Sequence, residues 1–568
     1  MALLSLGSSG AEVRGLQGKL IKLGFLSSAA LGSFDTTTES AVKDLQTQRP
    51  WLLTDGVVGP ITLGEIDDTI SVLDGQTALK AFAAGSASLD MAFLVGNSLL
   101  SLAIQRRLRG LGLYPGGKLI DGDFGPRSQA ALKDFCNEVS LPVTTPLQLT
   151  PIVAGKLLTT QQISSVMNDA KSTSVIAKKY LDFETAVGAN DSKLGFLDMG
   201  AQQSPFKETI YRGKDSLTAT KSAGIQSSSP RSLSFSSYPN IGTVPTIDAS
   251  GLSFLGSDIT EACLCLGHFD GGQLTTSWLG KKPLALVECW SASKIIPILN
   301  VLCQVGNRVP NNPSDLVLKD RDSKKQFKLS NVLVDICSYR SDELGKVSSN
   351  ALSATLNAFE VNRERWIKSQ TGNTKSIQFG GKYGITATIE APDGVPEIRD
   401  RSSKSSILTF QSTATGGNSI STYDLTRFIS LVGWHGLLSD TQKLPDISDQ
   451  GLDLAITALG TDIARYVDTA ISTLGLENVV DSLVVLSKLG FGYSDPNRHG
   501  RDVTELVYTA FTQFIDKQNP SAPKLRFFAL TLRTSKPGGG NAVAIQTDTA
   551  IATAVTEIIR RIVTEDFS

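Results

Sequence analysis

The feature that most constrains the fold is a helical pattern that occurs twice in the first 160 residues. Leucine and valine recur every three or four positions ahead of Gly24, which predicts an amphipathic helix that ends at this glycine. The same spacing returns ahead of Gly112, 88 positions later. Phe34 and Phe124, in the turns that follow, lie 90 positions apart. The chain therefore begins with a degenerate internal repeat of helical units.

Each copy of the repeat has room for two more short helices. The threonines at 36–38 are typical helix caps, and an Asp55-Gly56 turn precedes a third helix from about Ile61 to Ile66. In the second copy, helical patterns follow the Asp121-Gly122 turn and begin again at Pro151. The predicted all-α modules, of three helices each, are residues 1–75 and 90–160.

Short motifs in both copies resemble the peptidoglycan-binding domain found at the ends of many cell-wall hydrolases. The motifs G-x-x-G, L-Q, L-G-[FL] and D-G-x-F-G-P stand in that order, and the resemblance covers about residues 3–158. The first copy departs from the pattern because residues 31–35 read Leu-Gly-Ser-Phe-Asp. The resemblance implies that the turns bind the wall polymer, and the alternative is that the modules only mediate protein contacts. The candidate ligand-binding residues are Asp55, Gly56, Asp121, Gly122 and Phe124.

Residues 161–245 combine a helical segment with a serine-rich stretch that contains Pro230 and Pro239. Such a composition cannot bury a core of its own, so the segment is predicted to be a linker. The remaining residues, 246–568, are numerous enough for a separate domain.

Charge and composition exclude several functions. Lys and Arg number 54 against 55 Asp and Glu, so no basic field exists to attract a nucleic acid. The six cysteines form no C-x-x-C pair and the three histidines lie far apart, which indicates reduced, buried thiols and predicts neither a metal nor a cofactor. No apolar run approaches the length of about 18 residues that a membrane span requires.

The first residues contain neither a basic region nor an apolar stretch of signal-peptide length. If Met1 is the true start, we expect delivery by a lysis system or an injection apparatus. The expected place of action is the bacterial cell wall, in the periplasm or outside the cell.

A candidate nucleophile stands in the second domain, after alternating residues that predict a strand pair between 261 and 279. Ser291 and Lys294 lie three positions apart at the predicted start of a helix, so their side chains share one face. A serine hydroxyl needs a base to take its proton, and a lysine serves when apolar surroundings lower its pKa. The pair predicts a serine nucleophile with a lysine base.

Two further motifs follow in order. Ser348-Ser349-Asn350 forms S-x-N ahead of a helical pattern, and Lys488-Leu489-Gly490 forms K-x-G in a predicted strand. A last strand, Leu525–Leu532, and a closing helix, Thr547–Ile562, end the chain. With these elements, residues 255–568 resemble the penicillin-binding protein and serine β-lactamase family. The resemblance implies an α/β (α+β) domain in which helices flank a central antiparallel sheet.

The resemblance also implies how a substrate is attacked. Ser291 would be the acylated nucleophile and Lys294 its base, while Ser348 would relay a proton to the leaving nitrogen. The backbone N–H groups of Ser291 and Phe491 would form the oxyanion hole.

The remaining motif residues would bind the substrate. Asn350 would hold the substrate amide, and Lys488 would supply positive charge at the strand edge. Gly490 would leave room for substrate to lie against the strand. Each of these residues has a structural alternative, such as a helix cap, a solvated lysine or an ordinary strand glycine.

Two departures from the family pattern bear on substrate and turnover. Leu489 stands where the family commonly has a hydroxyl residue that helps to bind the substrate carboxylate. No E-x-x-L-N precedes the G-N-S-I-S-T segment at 417–422, so the glutamate that speeds deacylation in β-lactamases is missing there. Efficient hydrolysis of antibiotics is therefore not expected. The generous spacing between Asn350 and Lys488 predicts a lid or a binding loop within 370–415.

The leading hypothesis joins the two halves of the chain. Tandem wall-binding modules would concentrate a serine peptidase on peptidoglycan, where it would cleave stem peptides as a D,D-carboxypeptidase or endopeptidase. One alternative is a non-catalytic wall anchor with a degenerate hydrolase fold. Another is a serine esterase or β-lactamase on the same fold.

Overall fold

The computed structural model describes residues 3–27, 32–222, 224–228, 230–270, 272–308, 315–320, 326–340, 348–384, 395–494, 497 and 500–567. The chain divides into two compact units. The first comprises Met1–Ile176, Gln202–Tyr211 and Asp468–Val479, and the second comprises Ala177–Ala201, Arg212–Val467 and Val480–Ser568.

The first unit is built mainly from helices, and its first helix has the predicted apolar stripe. Val13, Leu16 and Leu20 are buried on one face of this helix. Two short strands pair in antiparallel fashion, β1 (Leu89–Asp90) and β2 (Gln148–Leu149). The helices of this part of the chain are α1 (Ala11–Lys22), α2 (Thr36–Thr47), α3 (Pro60–Ala83), α4 (Met91–Val95), α5 (Ser98–Gly110), α6 (Pro126–Glu138), α7 (Pro151–Thr159) and α8 (Ser164–Asp169).

A buried glutamine holds the equivalent turn in each copy of the repeat. On α1, Gln17 Oε1 accepts a hydrogen bond from the backbone N–H of Gly32 (2.8 Å). On α5, Gln105 Oε1 accepts from the N–H of Gly122 (2.9 Å), and its Nε2 donates to Asp121 Oδ1 (2.9 Å). The two glutamines lie 88 positions apart and the two glycines 90, so the turn-holding bonds recur with the offset of the sequence repeat.

The third helix is much longer than the sequence pattern predicts. It runs from Pro60 to Ala83 instead of ending near Ile66, and Gly75 and Leu79 are buried in its second half. A Cβ on Gly75 would lie 2.9 Å from the carbonyl oxygen of Leu99, so this half packs closely against α5. The helix therefore belongs to both copies, and the chain around residue 75 is helix rather than a boundary.

The second unit contains the remaining helices and strands. Its helices are α9 (Thr173–Ala186), α10 (Gly213–Ser222), α11 (Ile295–Val305), α12 (Leu329–Ser338), α13 (Ser349–Asn357), α14 (Arg363–Thr371), α15 (Thr422–Gly433), α16 (Asp449–Gly460), α17 (Tyr466–Thr473) and α18 (Asn541–Thr564), of which α9 and α17 begin or end in the first unit. Its strands are β3 (Gln226–Ser227), β4 (Ser236–Ser237), β5 (Ile247–Asp248), β6 (Ile259–Asp270), β7 (Gln273–Lys281), β8 (Val287–Glu288), β9 (Leu316–Asp320), β10 (Gln326–Lys328), β11 (Gln378–Phe379), β12 (Pro396–Asp400), β13 (Ser406–Thr409), β14 (Asn418–Ile420), β15 (Val480–Ser494), β16 (Val503–Asp516) and β17 (Lys524–Pro537).

Five long antiparallel strands form the centre of the second unit, in the order β15-β16-β17-β6-β7. The predicted strand pair, last strand and closing helix correspond to β6, β7, β17 and α18 and are confirmed. Helices α15 and α18 pack against β16, β17 and β6. Every residue of α11 except Gln304 is buried, as expected for a helix that is apolar on all sides. The strand β15 lies at the edge of this sheet.

Two small sheets complete the second unit. One has the order β10-β9-β12-β13, and the other has the order β11-β14-β8. The strands β11, β12 and β13 fall within 370–415, where the sequence predicts a lid or a binding loop. Residues 385–394 of that region lie outside the described residues.

The serine-rich stretch is part of the second unit's sheet rather than a free linker. Its strand β3 pairs in parallel with β17, and β4 pairs in antiparallel fashion with β7. Tyr238, directly after β4, is 2% exposed, and its hydroxyl shares a hydrogen bond with Ser430 Oγ (2.7 Å). Backbone pairing with existing strands places this stretch, so it needs no core of its own.

The prediction of reduced, buried thiols is confirmed. All six cysteines are free and buried: Cys136, Cys263, Cys265, Cys289, Cys303 and Cys337. Among the described residues, α18 alone has the length and mean hydropathy of a membrane-spanning helix. Most of that helix is buried against the sheet, as in the core helix of a folded domain.

Candidate active site

Ser291 lies in a short 3-10 turn, Trp290–Lys294, that leads into α11. Residues three apart in a 3-10 turn lie one above the other, which puts Ser291 and Lys294 on the same side of the turn. The Ser291 side chain is half-buried, and its Oγ has no hydrogen-bond partner within the described part of the chain.

Lys294 is fully buried. Within the described ranges, no carboxylate contacts its amino group to balance a positive charge. Its Nζ donates to Ser349 Oγ (2.8 Å) and to Asn350 Oδ1 (2.6 Å). Burial lowers the pKa of Lys294 well below its ordinary value, and the nearby charge of Lys488 lowers it further. Both effects favour the neutral amine, which is the form that can accept a proton.

The serine that reaches Lys294 is one position later than the sequence motif suggests. Ser348 is exposed at the N-cap of α13, where its Oγ accepts a hydrogen bond from the N–H of Ala351 (3.2 Å). The next residue, Ser349, donates its hydroxyl proton to the carbonyl of Ile336 (2.9 Å) and accepts from Lys294. The structure thus gives Ser348 a capping contact and brings Ser349 to the lysine.

Both ends of the Asn350 amide are occupied. Oδ1 accepts from Lys294, and Nδ2 donates to the carbonyl oxygen of Tyr383 (2.9 Å). Asn350 therefore joins the lysine to the chain around Tyr383. A substrate amide would have to replace the Tyr383 carbonyl to use Nδ2.

Lys488 occupies a closed environment on β15. It is fully buried, and its Nζ donates to Tyr339 Oη (3.1 Å) and to the carbonyl of Leu489 (3.2 Å), with Asp462 Oδ1 at 3.6 Å. Burial opposes the charged form, but Tyr339, Asp462 and Cys337 outweigh it and raise the pKa of Lys488 above its ordinary value. Lys488 is thus a fixed cation.

Tyr339 lies beside both lysines, although no sequence motif points to it. Its ring centroid is 4.6 Å from Lys488 Nζ and 5.3 Å from Lys294 Nζ. The ring of Tyr383 is also 5.3 Å from Lys294 Nζ. These distances fall within the range of cation–π contacts. The two lysines, two tyrosines and Asn350 form one cluster.

Two glycines on β15 make space for the turn that carries Ser291. A Cβ on Gly490 would lie 2.4 Å from the carbonyl oxygen of Cys289 and 2.7 Å from the backbone nitrogen of Ala292. A Cβ on Gly492 would lie 2.4 Å from the ring of Trp290. The room expected at Gly490 for a substrate is taken up by the protein's own backbone.

The Phe491 N–H points toward the outer edge of β15. The backbone of Leu489 faces that edge, because its carbonyl accepts from Lys488 Nζ and its amide hydrogen-bonds Asp462. Residues two apart in a strand direct their peptide groups to the same side. The Phe491 N–H therefore points to the open edge of β15, one residue after Gly490, whose face of the strand packs against the Ser291 turn.

Trp290 holds the turn in an unusual conformation. Its φ is +48°, a left-handed value that is costly for a bulky residue. The Trp290 backbone N–H donates to Glu288 Oε1 (3.0 Å), and the indole N–H donates to Glu505 Oε2 (3.0 Å). Glu505 is itself fully buried and paired with Arg533. These bonds fix the residue directly before the candidate nucleophile.

The candidate wall-binding residues lie in the first unit, and internal bonds hold them. Asp55 is exposed, and its Oδ1 accepts from Val57 N–H (2.8 Å) and from Gln46 Nε2 (3.0 Å). The N–H of Gly56 donates to Gln46 Oε1 (2.9 Å), which repeats the turn-holding arrangement. Asp121 is likewise exposed at its turn.

Phe124 does not fit the prediction of a ligand contact. Phe124 and its repeat counterpart Phe34 are both 0% exposed. An aromatic ring at this position fills the module's core, because the turn before it packs back onto the helices.

Comparison with known proteins places one peptidoglycan-binding domain near the N-terminus, because residues 9–66 match the peptidoglycan binding domain family. Among solved structures, the chain is similar to a representative class A β-lactamase from Bacteroides cellulosilyticus DSM 14838 (11% identity, 57% of this chain, 100% of that chain, TM-score 0.33). It is also similar to a β-lactamase from Desulfarculus baarsii DSM 2075 (13% identity, 55% of this chain, 96% of that chain, TM-score 0.29). A third similar structure is a peptidoglycan synthetase from Bifidobacterium adolescentis ATCC 15703 (10% identity, 55% of this chain, 59% of that chain, TM-score 0.23). No curated protein sequence matches this chain.

Proposed function

We propose that this protein is a peptidoglycan-targeted serine hydrolase that acts on stem peptides through an acyl-serine intermediate, as a D,D-carboxypeptidase or endopeptidase. The observation that carries the proposal is Lys294, a fully buried lysine without a carboxylate partner in the described residues, one turn after the half-buried Ser291. A buried neutral amine next to an available hydroxyl is the arrangement that serine activation requires.

Ser291 and Lys294 would form the acyl-enzyme. Ser291 Oγ attacks the carbonyl carbon of the scissile amide, and its proton passes to Lys294 Nζ. The carbon–nitrogen bond then breaks, and the leaving nitrogen takes up a proton from the Ser349 hydroxyl, which Lys294 replenishes. Ser349 takes this role in place of Ser348 because its Oγ is the one within 2.8 Å of the lysine. Water then releases the acid and restores Ser291.

The N–H groups of Ser291 and Phe491 would stabilise the tetrahedral intermediate. Support for this role comes from β15, whose outer edge presents the Phe491 N–H directly after Gly490, the residue at which the strand approaches the Ser291 turn. Fixed donors at such an edge stabilise developing negative charge without reorganisation. Lys488 would add positive charge, while Asn350 would exchange the Tyr383 carbonyl for the substrate amide.

The first unit would bring this site to the cell wall. The family match at residues 9–66 supports peptidoglycan as the partner. The turn-holding bonds of Gln17 and Gln105 recur in both copies and support a second binding module. Two modules on one chain raise the effective concentration of the hydrolase near its polymer, so weak single-module affinity suffices.

The test is mass spectrometry of sacculus fragments after incubation with the wild type and with Ser291→Ala. We expect stem peptides shortened or cross-links cut by the wild type, and none by the variant, because loss of the nucleophile lowers turnover by orders of magnitude. A second candidate is a non-catalytic wall anchor, which is favoured because Lys294 Nζ bonds Ser349 and Asn350 and makes no hydrogen bond to Ser291 Oγ in the described residues. Sedimentation with sacculi without cleavage or acyl-serine formation would establish that function instead. Turnover of a chromogenic ester or lactam without sacculus cleavage would indicate an esterase or β-lactamase.

A further inference from the structure

We propose that Tyr339 is a positioning residue of the candidate active site: its ring shields Lys294 and Lys488 from water, and its hydroxyl holds Lys488 in place. The inference rests on the proposed function, because it explains how two neighbouring lysines take different tasks in one acyl-transfer site.

Tyr339 contacts both buried amino groups and is itself partly exposed to solvent. Both lysines are 0% exposed, whereas Tyr339 is 36% exposed. Its ring centroid lies 4.6 Å and 5.3 Å from the two nitrogens, and its hydroxyl accepts from Lys488 Nζ at 3.1 Å. Tyr339 is thus the solvent-facing member of this group of three.

The backbone around Tyr339 is built to hold the ring there. Tyr339 ends α12 in the left-handed conformation, with φ +52°, and its N–H donates to the carbonyl of Asp335 (3.1 Å). The side chain of Asp335 pairs with Arg340 Nε (2.8 Å), and both side chains are buried. A non-glycine residue keeps this strained conformation only where its surroundings enforce it.

The groups that face the two lysines explain their different states. Lys294 faces Lys488, Cys337 and the rings of Tyr339 and Tyr383. An aromatic ring stabilises an ammonium by less than removal of the ammonium from water destabilises it. The net effect of the shield over Lys294 is therefore to favour the neutral amine.

Lys488 differs because polar groups compensate for its burial. It faces Asp462 and the Tyr339 hydroxyl as well as Lys294 and Cys337. Asp462 Oδ2 accepts a hydrogen bond from Ser487 Oγ (3.0 Å), which holds the carboxylate beside Lys488. One ring therefore covers a base and a fixed cation at the same time.

The experiment measures lysine reactivity in the full-length protein with trace acetic anhydride across pH, read by mass spectrometry. In wild type, Lys294 should be labelled with a midpoint far below that of surface lysines. In Tyr339→Gly, which removes the ring and suits the left-handed backbone, the midpoint should rise by about one pH unit or more. In Tyr339→Phe, the Lys294 midpoint should stay as in wild type, while Lys488 should become more reactive.

The outcomes separate this proposal from the proposed function, since labelling needs no catalysis. Equal Lys294 profiles in wild type and Tyr339→Gly would overturn the shield, as would equal shifts in the Gly and Phe variants. A Lys294 that is labelled only in the Gly variant would support it. Tyr493→Ala is the matched control, because Tyr493 is 44% exposed on the same strand as Lys488 and bonds Asp502. If acylation of Ser291 is also observed, its pH profile should shift with the Lys294 midpoint.

Discussion

A Cβ on Gly490 would lie 2.4 Å from the carbonyl oxygen of Cys289, so the edge strand touches the backbone that leads into the candidate nucleophile. This contact is backbone against backbone, and neither side can move by changing a rotamer. The position of Ser291 relative to the strand thus depends on the missing side chain of Gly490 as well as on that of Gly492.

Gly490→Ala should therefore abolish acylation of Ser291 and lower the free energy of unfolding by about 1–3 kcal/mol, as overpacking does elsewhere. Acylation would be followed by mass spectrometry with an activated ester, and stability by urea denaturation. Gly256→Ala is the control, because nothing lies within 4 Å of a Cβ there. Normal acylation by Gly490→Ala would show that the turn does not depend on this approach.

Ser349→Ala and Ser348→Ala should have different effects. Loss of the Ser349 hydroxyl should slow turnover by about 10²–10⁴-fold, the usual contribution of a proton-transfer group. Loss of Ser348 should remove a helix cap and cost about 0.5–2 kcal/mol of stability with most turnover retained. Steady-state kinetics on a soluble ester would compare them. The reverse pattern would return the relay to Ser348, as the sequence motif suggests.

The S-x-N motif predicts part of the candidate site but not all of its contacts. It identified the helix start and Asn350, but not which of two adjacent serines faces Lys294, because that depends on how α13 packs against α12. Tyr339 and Asp462 carry no motif, and they reach Lys488 only through the fold.

Sequence patterns predict the order of the long strands and helices, but not which strands the short segments pair with. Period-two alternation identified β6 and β7, and apolar spacing identified α1. The composition of the serine-rich stretch predicts a linker and is wrong there, because composition does not reveal the backbone pairing of β3 and β4 with existing strands.

Lys294→Met should change how stability depends on pH. The pKa of Lys294 is lowered in the folded state, whereas an unfolded lysine titrates near about 10.4. Between these values the unfolded chain binds more protons, so the stability of wild type rises with pH across that window. Lys488, whose pKa is raised on folding, has the opposite effect at higher pH.

The unfolding free energy of wild type should therefore increase relative to that of Lys294→Met as the pH increases. Urea denaturation at several pH values would measure both. Lys517→Met, which removes a surface ion pair with Asp481, is the control. Parallel curves for wild type and Lys294→Met would mean that Lys294 is not destabilised as a cation.

Gln46→Leu and Gln105→Leu should separate wall binding from chemistry. Each removes the side chain that holds a turn and should cost about 1–3 kcal/mol, because a buried donor or acceptor loses its partner. Sedimentation with purified sacculi should fall in both variants, while hydrolysis of a soluble ester stays at the wild-type rate. The exposed Gln161→Leu is the control. Unchanged sedimentation in both variants would remove the wall-targeting role, and a loss in only one would identify the copy that binds.

Leu489→Thr should improve the handling of ligands that carry a carboxylate. Leu489 is 4% exposed beside Lys488, so no hydroxyl is available there to share a carboxylate with the cation. A hydrogen bond to a charged group is worth about 1.5–3 kcal/mol, so penicillins should acylate the variant roughly ten- to hundred-fold faster than wild type. The swap loses an apolar contact of about 1 kcal/mol and leaves the strand intact.

Leu486→Thr is the control, because it changes another buried leucine of β15 at the same burial cost and should not speed acylation by penicillins. Wild type should accept the methyl ester of a substrate at least as well as its free acid. A strong wild-type preference for the free acid would show that another residue binds the carboxylate, because Leu489 cannot.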